Sequence, residues 1–480
     1  MILDTLLEGA RATPDRPAVR YDGAPFTFAA IAKLVLAARQ SLLPLARHAG
    51  GIAILDLELL DNWIASLALR SLGVTTLAVP SLETIAGLGS LDIACVLTTA
   101  TSASVKPGTA VIQLPLNWRD SLDAAPSHSG LSAGGTRTGD HILLTSGTTG
   151  RFKAFPVTAA ADAINTASHM EIAGFTTESS VLVCDFGLWT SAGYYVAASV
   201  WRAGGCAVIE QGRRWRSALF EAPITHAWLT PFALRQQLDL QTDGQGRRDD
   251  LRLIVGGFAM PWSLAERALT QVTSRLFSLI ASTETGPWSL GPVSDPQDVV
   301  WHPVHPSRTA QIVDGDGRPV APGETGHVRI QVIDGATGYL ADEAASRACF
   351  RDGFFHPGDM GQASGDGRIA LRGRTTDVVP LNGAKHMAGL FEQALSRLLD
   401  VEEVCVFAAP NDQAEEEIHV VLETHRPFTM ATLAHAAKTV FPGVSEVRFH
   451  RLDALPRSPM GKIRRYALKE RLTGPIVQKG

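Results

Sequence analysis

The stretch from Ile142 to Phe155, ILLTSGTTGRFKAF, ends an apolar run in six small residues, Thr145-Ser146-Gly147-Thr148-Thr149-Gly150. Two cations, Arg151 and Lys153, follow. Glycines let backbone N–H groups converge without a Cβ clash, and hydroxyls add donors. A lysine adds a mobile point charge. Together these suit a polyphosphate, against the competing reading of a surface turn built from small polar residues. The spacing fits neither of the two commonest nucleotide loops. Gly147 and Gly150 are three apart and no Ser or Thr follows Lys153, as G-x-x-x-x-G-K-[ST] requires, and G-x-G-x-x-G fails as well.

The segment LLTSGTTGRFKAF resembles the phosphate loop of the adenylate-forming superfamily, which comprises acyl-CoA synthetases, adenylation domains of peptide synthetases and luciferases. Phe152 and Ala154 stand where that family usually has Pro and Gly. Further segments resemble the other family motifs, in order along the chain: ITHAWLTPFALRQQL, LRLIVGGFAM, ASTETG, DGFFHPGDMGQASGDGRIALRGRTTDVV and LPRSPMGKIRRYAL. They run from the large N-terminal part almost to the C-terminus.

The resemblance implies a two-step reaction. A carboxylate attacks the α-phosphate of ATP to give an acyl-adenylate and pyrophosphate, and a thiol then displaces AMP. It implies that Thr145, Ser146, Gly147, Thr148, Thr149 and Gly150 hold the β- and γ-phosphates, with Lys153 as the loop's cation. Glu284 would bind Mg²⁺ and Thr283 would donate to the α-phosphate. Asp359 would accept from both ribose hydroxyls, as a carboxylate can, and Arg374 would contact ribose or phosphate. Lys462 matches the lysine that reaches the reacting oxygens, where a mobile charge meets charge that develops in the transition state. It sits in a small C-terminal domain that the family rotates between half-reactions about a hinge, here Thr376.

Several positions depart from the pattern. Ile280 replaces an aromatic that stacks on adenine, with Ala281 in place of a glycine. Gly257, Phe258 and Ser282 complete the expected nucleotide walls, and Phe258 is a candidate to replace the lost stacking. After the hinge, Leu381-Asn382-Gly383-Ala384 replaces a doubly glycine-containing loop that admits pantetheine. Phe186, Trp189, Gly193, Phe232, Ala281 and Trp288 are candidate acyl-pocket residues, although aromatics are more often core. Ser191 falls near the position where amino-acid-activating members keep an Asp, so a flat or medium acyl group is expected rather than an α-amino acid.

The elements that position these residues read as α/β. Short apolar β-branched runs such as GIAILDL, IACVLTT, SSVLVCDFG and LRLIVGG alternate with helical segments such as NWIASLALRSLG, the pattern of parallel layers. PAVRYDGAPFTF reads as a hairpin at Asp22-Gly23. Near residue 305 the pattern changes to alternating strands with Asp-Gly and Pro-Gly turns, an antiparallel region. GLFEQALSRLLD, EEVCVFAAP, EIHVVLE and ATLAHAAKTVF then give helices and strands of a mixed α+β unit. We therefore expect a large multi-layered domain over 1–374, a hinge at 375–377 and a small mobile domain over 378–480.

The bulk numbers set limits. The 480 residues exceed one ordinary core and imply more than one domain. The net charge of −5 argues against a nucleic-acid partner. Five dispersed cysteines without a CxxC pair read as reduced thiols of a cytoplasmic protein with no structural zinc. No apolar run reaches the length of a membrane span. The expected cofactors are ATP, Mg²⁺ and CoA or carrier-protein phosphopantetheine. The expected partners are a small carboxylic acid and CoA or an acyl carrier protein, with a homodimer left open. An acyl-CoA ligase is the first expectation, a stand-alone enzyme loading a carrier protein in trans the second, and a non-catalytic nucleotide-binding regulator the third.

Overall fold

A computed structural model describes residues 2–88, 91–100, 109–123, 138–146, 152–183, 186–241, 245–381, 384–410, 416–444, 446–458 and 461–473; for residues 146, 213, 384 and 385 it describes the backbone alone. The β-branched runs form two largely parallel sheets. The first has six strands in the order Ala110–Gln113, Ile93–Thr98, Ile52–Asp56, Thr75–Ala78, His141–Ser146 and Phe152–Val157, parallel up to the last pair. The second has eight, with parallel strands at its centre and an antiparallel hairpin at each edge. One edge hairpin, Pro17–Tyr21 with Ala24–Thr27, turns at Asp22 and Gly23, whose φ values are 48° and 81°. Consecutive positive φ at an Asp-Gly pair is the turn that matches strand twist.

Helix Leu59–Arg70 is buried on every face within the core that both sheets share. Its last residue, Arg70, is 1% exposed and ion-paired to Asp162 at 2.7 Å. The Tyr194 hydroxyl donates to the same carboxylate at 2.8 Å and also bonds the Arg70 guanidinium. Arg70 Nε donates to the Gly139 carbonyl at 2.9 Å. A buried charge survives when paired and saturated with hydrogen bonds in this way.

The antiparallel region spans residues 302–374 and has its own core of Trp288, Ile312, Val328, Ile330, Phe355 and Ile369. Beyond it, hairpin Val378–Leu381/Ala384–Met387 leads to a sheet of Glu403–Pro410, Glu416–Glu423 and Val447–Leu452. Helices Ala388–Leu399 and Met430–Val440 cover one face and helix Arg465–Thr473 the other, each face with a separate core. Strand Val447–Leu452 has no expectation from sequence. Its charged pattern, VRFHRL, conceals that it pairs parallel to Glu416–Glu423. No helix among the described residues is long and apolar enough to cross a membrane.

Several buried or half-buried histidines are held neutral. Burial pushes His141 down to about 3 and His169, His226 and His302 down to about 4. Unfolding lets each return to its usual ~6.5 and take up a proton. Their contribution to stability is therefore complete above about pH 6.5 and declines as pH falls toward 4. Asp162, Glu284 and Asp359, pushed upward by burial, act in the opposite sense. His356, His419 and His450 are pushed down as well and Glu210 up, so with seven histidines against four carboxylates the urea midpoint is expected to be lower at pH 5.5 than at pH 7.5. A midpoint that rises on acidification would show that the carboxylates dominate.

Candidate active site

Strands His141–Ser146 and Phe152–Val157 form an antiparallel pair that sets Thr145 opposite Lys153 and Ser146 opposite Phe152. The glycine-rich loop therefore connects two strands in tight register. Gly147, Thr148, Thr149 and Gly150 and the Ser146 side chain lie outside the described residues. The two unusual loop residues have packing roles. Phe152 meets Trp189 edge-on at 5.8 Å, and Ala154 is buried with its carbonyl accepting from Leu340 N at 2.8 Å.

Leu340 brings Tyr339 against the site. Lys153 Nζ sits 4.7 Å from the centre of the Tyr339 ring, and the Tyr339 hydroxyl donates to Glu284 Oε1 at 2.7 Å. Glu284 is 5% exposed. Burial pushes its carboxyl upward, while Tyr339, Thr145 and Lys153 pull it back. The turn carrying it is closed by Ser282 Oγ, which bonds Thr285 Oγ1 at 2.8 Å and accepts from Thr285 N at 3.2 Å. Gly286 follows at φ +66°.

A second wall comes from the antiparallel sheet. Strands Asp359–Ala363 and Arg368–Arg374 put Asp359 opposite Arg374, with Nε to Oδ1 at 3.1 Å. Burial raises the Asp359 carboxyl against the pull of Arg374 and Lys462. Lys462, from the far end of the chain, enters the same space. Burial and the neighbouring Arg374 push its ammonium down, and Asp359 and Asp377 oppose this.

Lys462 is delivered by a turn in which Ser458 N donates to the Lys462 carbonyl and Gly461 N to the Ser458 carbonyl, both at 2.8 Å. Gly461 has φ +83°, and a Cβ there would fall 2.5 Å from Phe232. The Arg457 guanidinium stacks over the same Phe232 ring at 4.9 Å. Ion pairs cross the same contact. Arg235 meets Glu402 at 2.7 Å and Glu423 at 3.5 Å and also pairs with Glu403, and Arg267 meets Glu402 at 3.0 Å. Arg465 grips Asp377, next to Thr376, as well as Glu392.

These groups line one cavity of about 500 Å³, which brings together Thr145, Lys153, Gly257, Phe258, Ile280, Ala281, Ser282, Glu284, Asp359, Arg374, Thr376 and Lys462. Thr283 is half-buried beside it and is not among its lining residues. Gly257 takes φ +102° after strand Arg252–Gly256, which turns the half-buried Phe258 onto the cavity wall. Of the expected acyl-pocket residues, Ala281 alone lines this cavity. Phe186 and Trp189 are core, and a Cβ on Gly193 would lie 1.9 Å from the Phe186 carbonyl oxygen. Trp288 is 2% exposed in the core of the antiparallel sheet, and Phe232 belongs to the Gly461–Arg457 contact. Large aromatics are worth more to packing than any local pattern reveals.

Sequence reasoning missed Tyr339, 55 residues beyond Glu284. Nothing in ATGYLADE separates a tyrosine that holds a carboxylate from one that packs. Among the described residues no cluster of three or more His, Cys, Asp or Glu could bind a metal unaided. The donor set still fits Mg²⁺, which is commonly held by one or two carboxylates together with substrate phosphates. Glu284 is a buried carboxylate with one oxygen committed to Tyr339, facing a cavity that also holds Lys153.

The chain resembles known proteins along its length. It is 26% identical to the fatty acid–[acyl-carrier-protein] ligase ScoC of Streptomyces coeruleorubidus, over 58% of this chain and 61% of that one. It is 26% identical to the indoleacetate–CoA ligase of Aromatoleum aromaticum, over 68% of this chain and 65% of that one. It thus spans less than two thirds of the length of these curated relatives. ATP-bound MatB from Rhodopseudomonas palustris shares the fold, with a TM-score of 0.82 at 19% identity, covering 98% of this chain and 99% of that one. The family model described as AMP-binding enzyme matches residues 6–340. With its ordered motifs and its fold, the chain belongs to the AMP-binding enzyme family.

Proposed function

We propose that the chain activates a small carboxylic acid with ATP as an acyl-adenylate and then forms a thioester, acting as an acyl-CoA ligase on an aryl or short- to medium-chain acid in the cytoplasm. The observation that carries this reading is Lys462 in one cavity with Glu284, Asp359 and Arg374. A nucleotide-binding module has no use for a C-terminal lysine in that place.

In the first step a carboxylate oxygen attacks the α-phosphorus, and the bond from phosphorus to the pyrophosphate oxygen breaks. Both reactants are anionic, so charge stabilisation at the reacting oxygens dominates. Lys462 bridges the incoming carboxylate and the α-phosphate, and Lys153 with the 145–150 loop holds the departing pyrophosphate. Asp359 accepts from the ribose hydroxyls, and Arg374 orients Asp359 through their ion pair. Thr283 is assigned the α-phosphate. Phe258 and Ile280 give the base apolar walls. Glu284 would hold Mg²⁺, which would supply charge neutralisation of the triphosphate.

In the second step the thiol sulfur attacks the acyl carbonyl carbon, AMP leaves with the bridging oxygen, and the thiol proton passes to solvent. We place the two domains at 1–374 and 378–480, with the hinge at 375–377, and assign the docked lobe seen here to the first step. The Arg235 ion pairs hold that arrangement. Reversing the charge in Arg235→Glu is expected to slow pyrophosphate release roughly 10-fold, the scale of losing part of a buried charge network. Thioester formation from preformed acyl-adenylate in a single turnover is expected to stay near wild type. Equal slowing of both steps would remove the latch role.

Carrier-protein loading is the second reading, favoured by the resemblance to ScoC. Acyl-AMP formed from a panel of acids separates the two. Rapid conversion on adding CoA supports the ligase. Acyl-AMP that persists with CoA and disappears with a phosphopantetheinylated carrier protein supports the alternative.

A further inference from the structure

Behind the Glu284 turn the structure buries another cation. Arg308 lies between strands His302–Pro303 and Ala310–Val313 and is 7% exposed. Its Nη2 donates to the Thr285 carbonyl, and its Nη1 donates to Ser168 Oγ at 3.3 Å. Its Nε is buried without a partner among the described residues. Burial pushes the guanidinium down to about 10, and among the described residues Asp334 is the one carboxylate whose charge counters this. Removing a guanidinium from water without a close counter-ion is costly, and an apolar side chain of similar length is often better tolerated. Space-filling therefore does not explain an arginine here, whereas its bond to the residue after Glu284 does.

The surroundings form a bracket around that turn. Ser168 and Asn165 are three residues apart on helix Ala159–Ala173, so they share a face. Ser168 backs Arg308, while Asn165 Nδ2 donates to Asp334 Oδ2 at 2.6 Å. Asp334 Oδ1 accepts from Ala336 N at 3.1 Å, which anchors the segment that ends in Tyr339. One helix thus braces the Glu284 turn from both sides: through Arg308 at its backbone, and through the Asp334 segment and Tyr339 at its carboxylate. Gly286 adds a constraint, since its φ is +66° and a Cβ there would lie 3.2 Å from His169 Cε1.

We propose that Arg308 is a positioning residue whose guanidinium fixes the Thr283–Glu284–Thr285 turn and so orients the remaining Glu284 oxygen toward metal-bound triphosphate. The metal consequence rests on the adenylation reading; the brace itself does not.

The test uses Arg308→Met and Arg308→Lys in the full chain with two readouts. The first is amide exchange, by mass spectrometry, of peptides covering 282–286 in nucleotide-free protein. In R308M these are expected to exchange about 10-fold faster, the scale of one lost charged hydrogen bond, while peptides from Arg252–Gly256 stay at the wild-type rate. The second is ATP binding by calorimetry in EDTA and in Mg²⁺. R308M is expected to keep its affinity in EDTA and to lose at least about fivefold of the gain that Mg²⁺ gives the wild type, with R308K in between. A residue serving only stability would shift the melting temperature without changing the Mg²⁺-linked gain. Unchanged exchange at 282–286 overturns the brace, and faster exchange with an intact Mg²⁺ gain overturns its link to Glu284. Wild type that binds no ATP in Mg²⁺ overturns the adenylation reading, and the exchange comparison then decides the brace separately. If R308M does not fold, R308K carries both comparisons, because lysine cannot reach Thr285 and Ser168 together; its identity with wild type in both overturns the proposal.

Discussion

Lys462→Ala is expected to lower acyl-adenylate formation roughly 100- to 1,000-fold while leaving ATP binding intact, the scale of removing one preorganised charge from a developing anion. Lys462 is far from the phosphate hairpin in sequence and reaches the cavity through contacts of its own turn: Gly461 on Phe232 and Arg457 over the same ring. Those contacts do not involve the ammonium, so the variant is expected to dock as wild type does. Burial and Arg374 hold the ammonium below its usual range. Burial therefore makes it less favourable there than in water, and a triphosphate and carboxylate would supply negative charge beside it. This differential interaction raises kcat rather than merely tightening ground-state binding. Pyrophosphate release measured at saturating ATP and acid checks it, alongside thioester formation from supplied acyl-adenylate, which is expected to be largely retained. Loss of both steps to the same degree would place Lys462 in general structural support.

The second large effect concerns the fold. Asp162→Ala is expected to destabilise the chain by about 3–5 kcal/mol, the cost of leaving one member of a buried ion pair unmatched. Arg70 would remain 1% exposed with Tyr194 and the Gly139 carbonyl as partners but without its counter-charge. The apolar double variant Arg70→Met/Asp162→Leu is expected to recover most of that loss, since replacing both partners removes the desolvation cost as well as the attraction. Urea denaturation of both variants measures the difference. A double variant as unstable as the single one would mean that Arg70 and Asp162 specify the packing of helix Leu59–Arg70 between the two sheets.

Local rules carried the sequence reading a long way. The Asp22-Gly23 turn, the alternation of β-branched strands with helices, and the antiparallel pattern after residue 305 are each fixed within a few residues of chain, and each appears in the fold. The site was legible where a motif is contiguous. Thr145 and Lys153 are neighbours across one hairpin, and Asp359 and Arg374 are neighbours across another. What was not legible joins distant segments. The Tyr339–Glu284 bond, the Arg308–Thr285 bond and the Arg235 ion pairs with Glu402, Glu403 and Glu423 link residues whose own neighbourhoods look ordinary. The aromatic pocket candidates show the opposite case. Phe186, Trp189 and Trp288 carry the composition of a binding wall, and all three lie buried among other side chains. Where the family usually has Pro and Gly, Phe152 packs against Trp189 and Ala154 is buried, its backbone bridged to Leu340.

The central claim is that one cavity unites ATP and a carboxylic acid for adenylate formation. Acid-dependent exchange of labelled pyrophosphate into ATP, in the presence of Mg²⁺ and a panel of aryl and short- to medium-chain acids, tests it most directly. We expect at least one acid to support exchange in the wild type, with exchange lowered roughly 100- to 1,000-fold in Lys462→Ala. Firm binding of ATP with no exchange for any acid would contradict the account and leave the chain a nucleotide-binding protein without turnover.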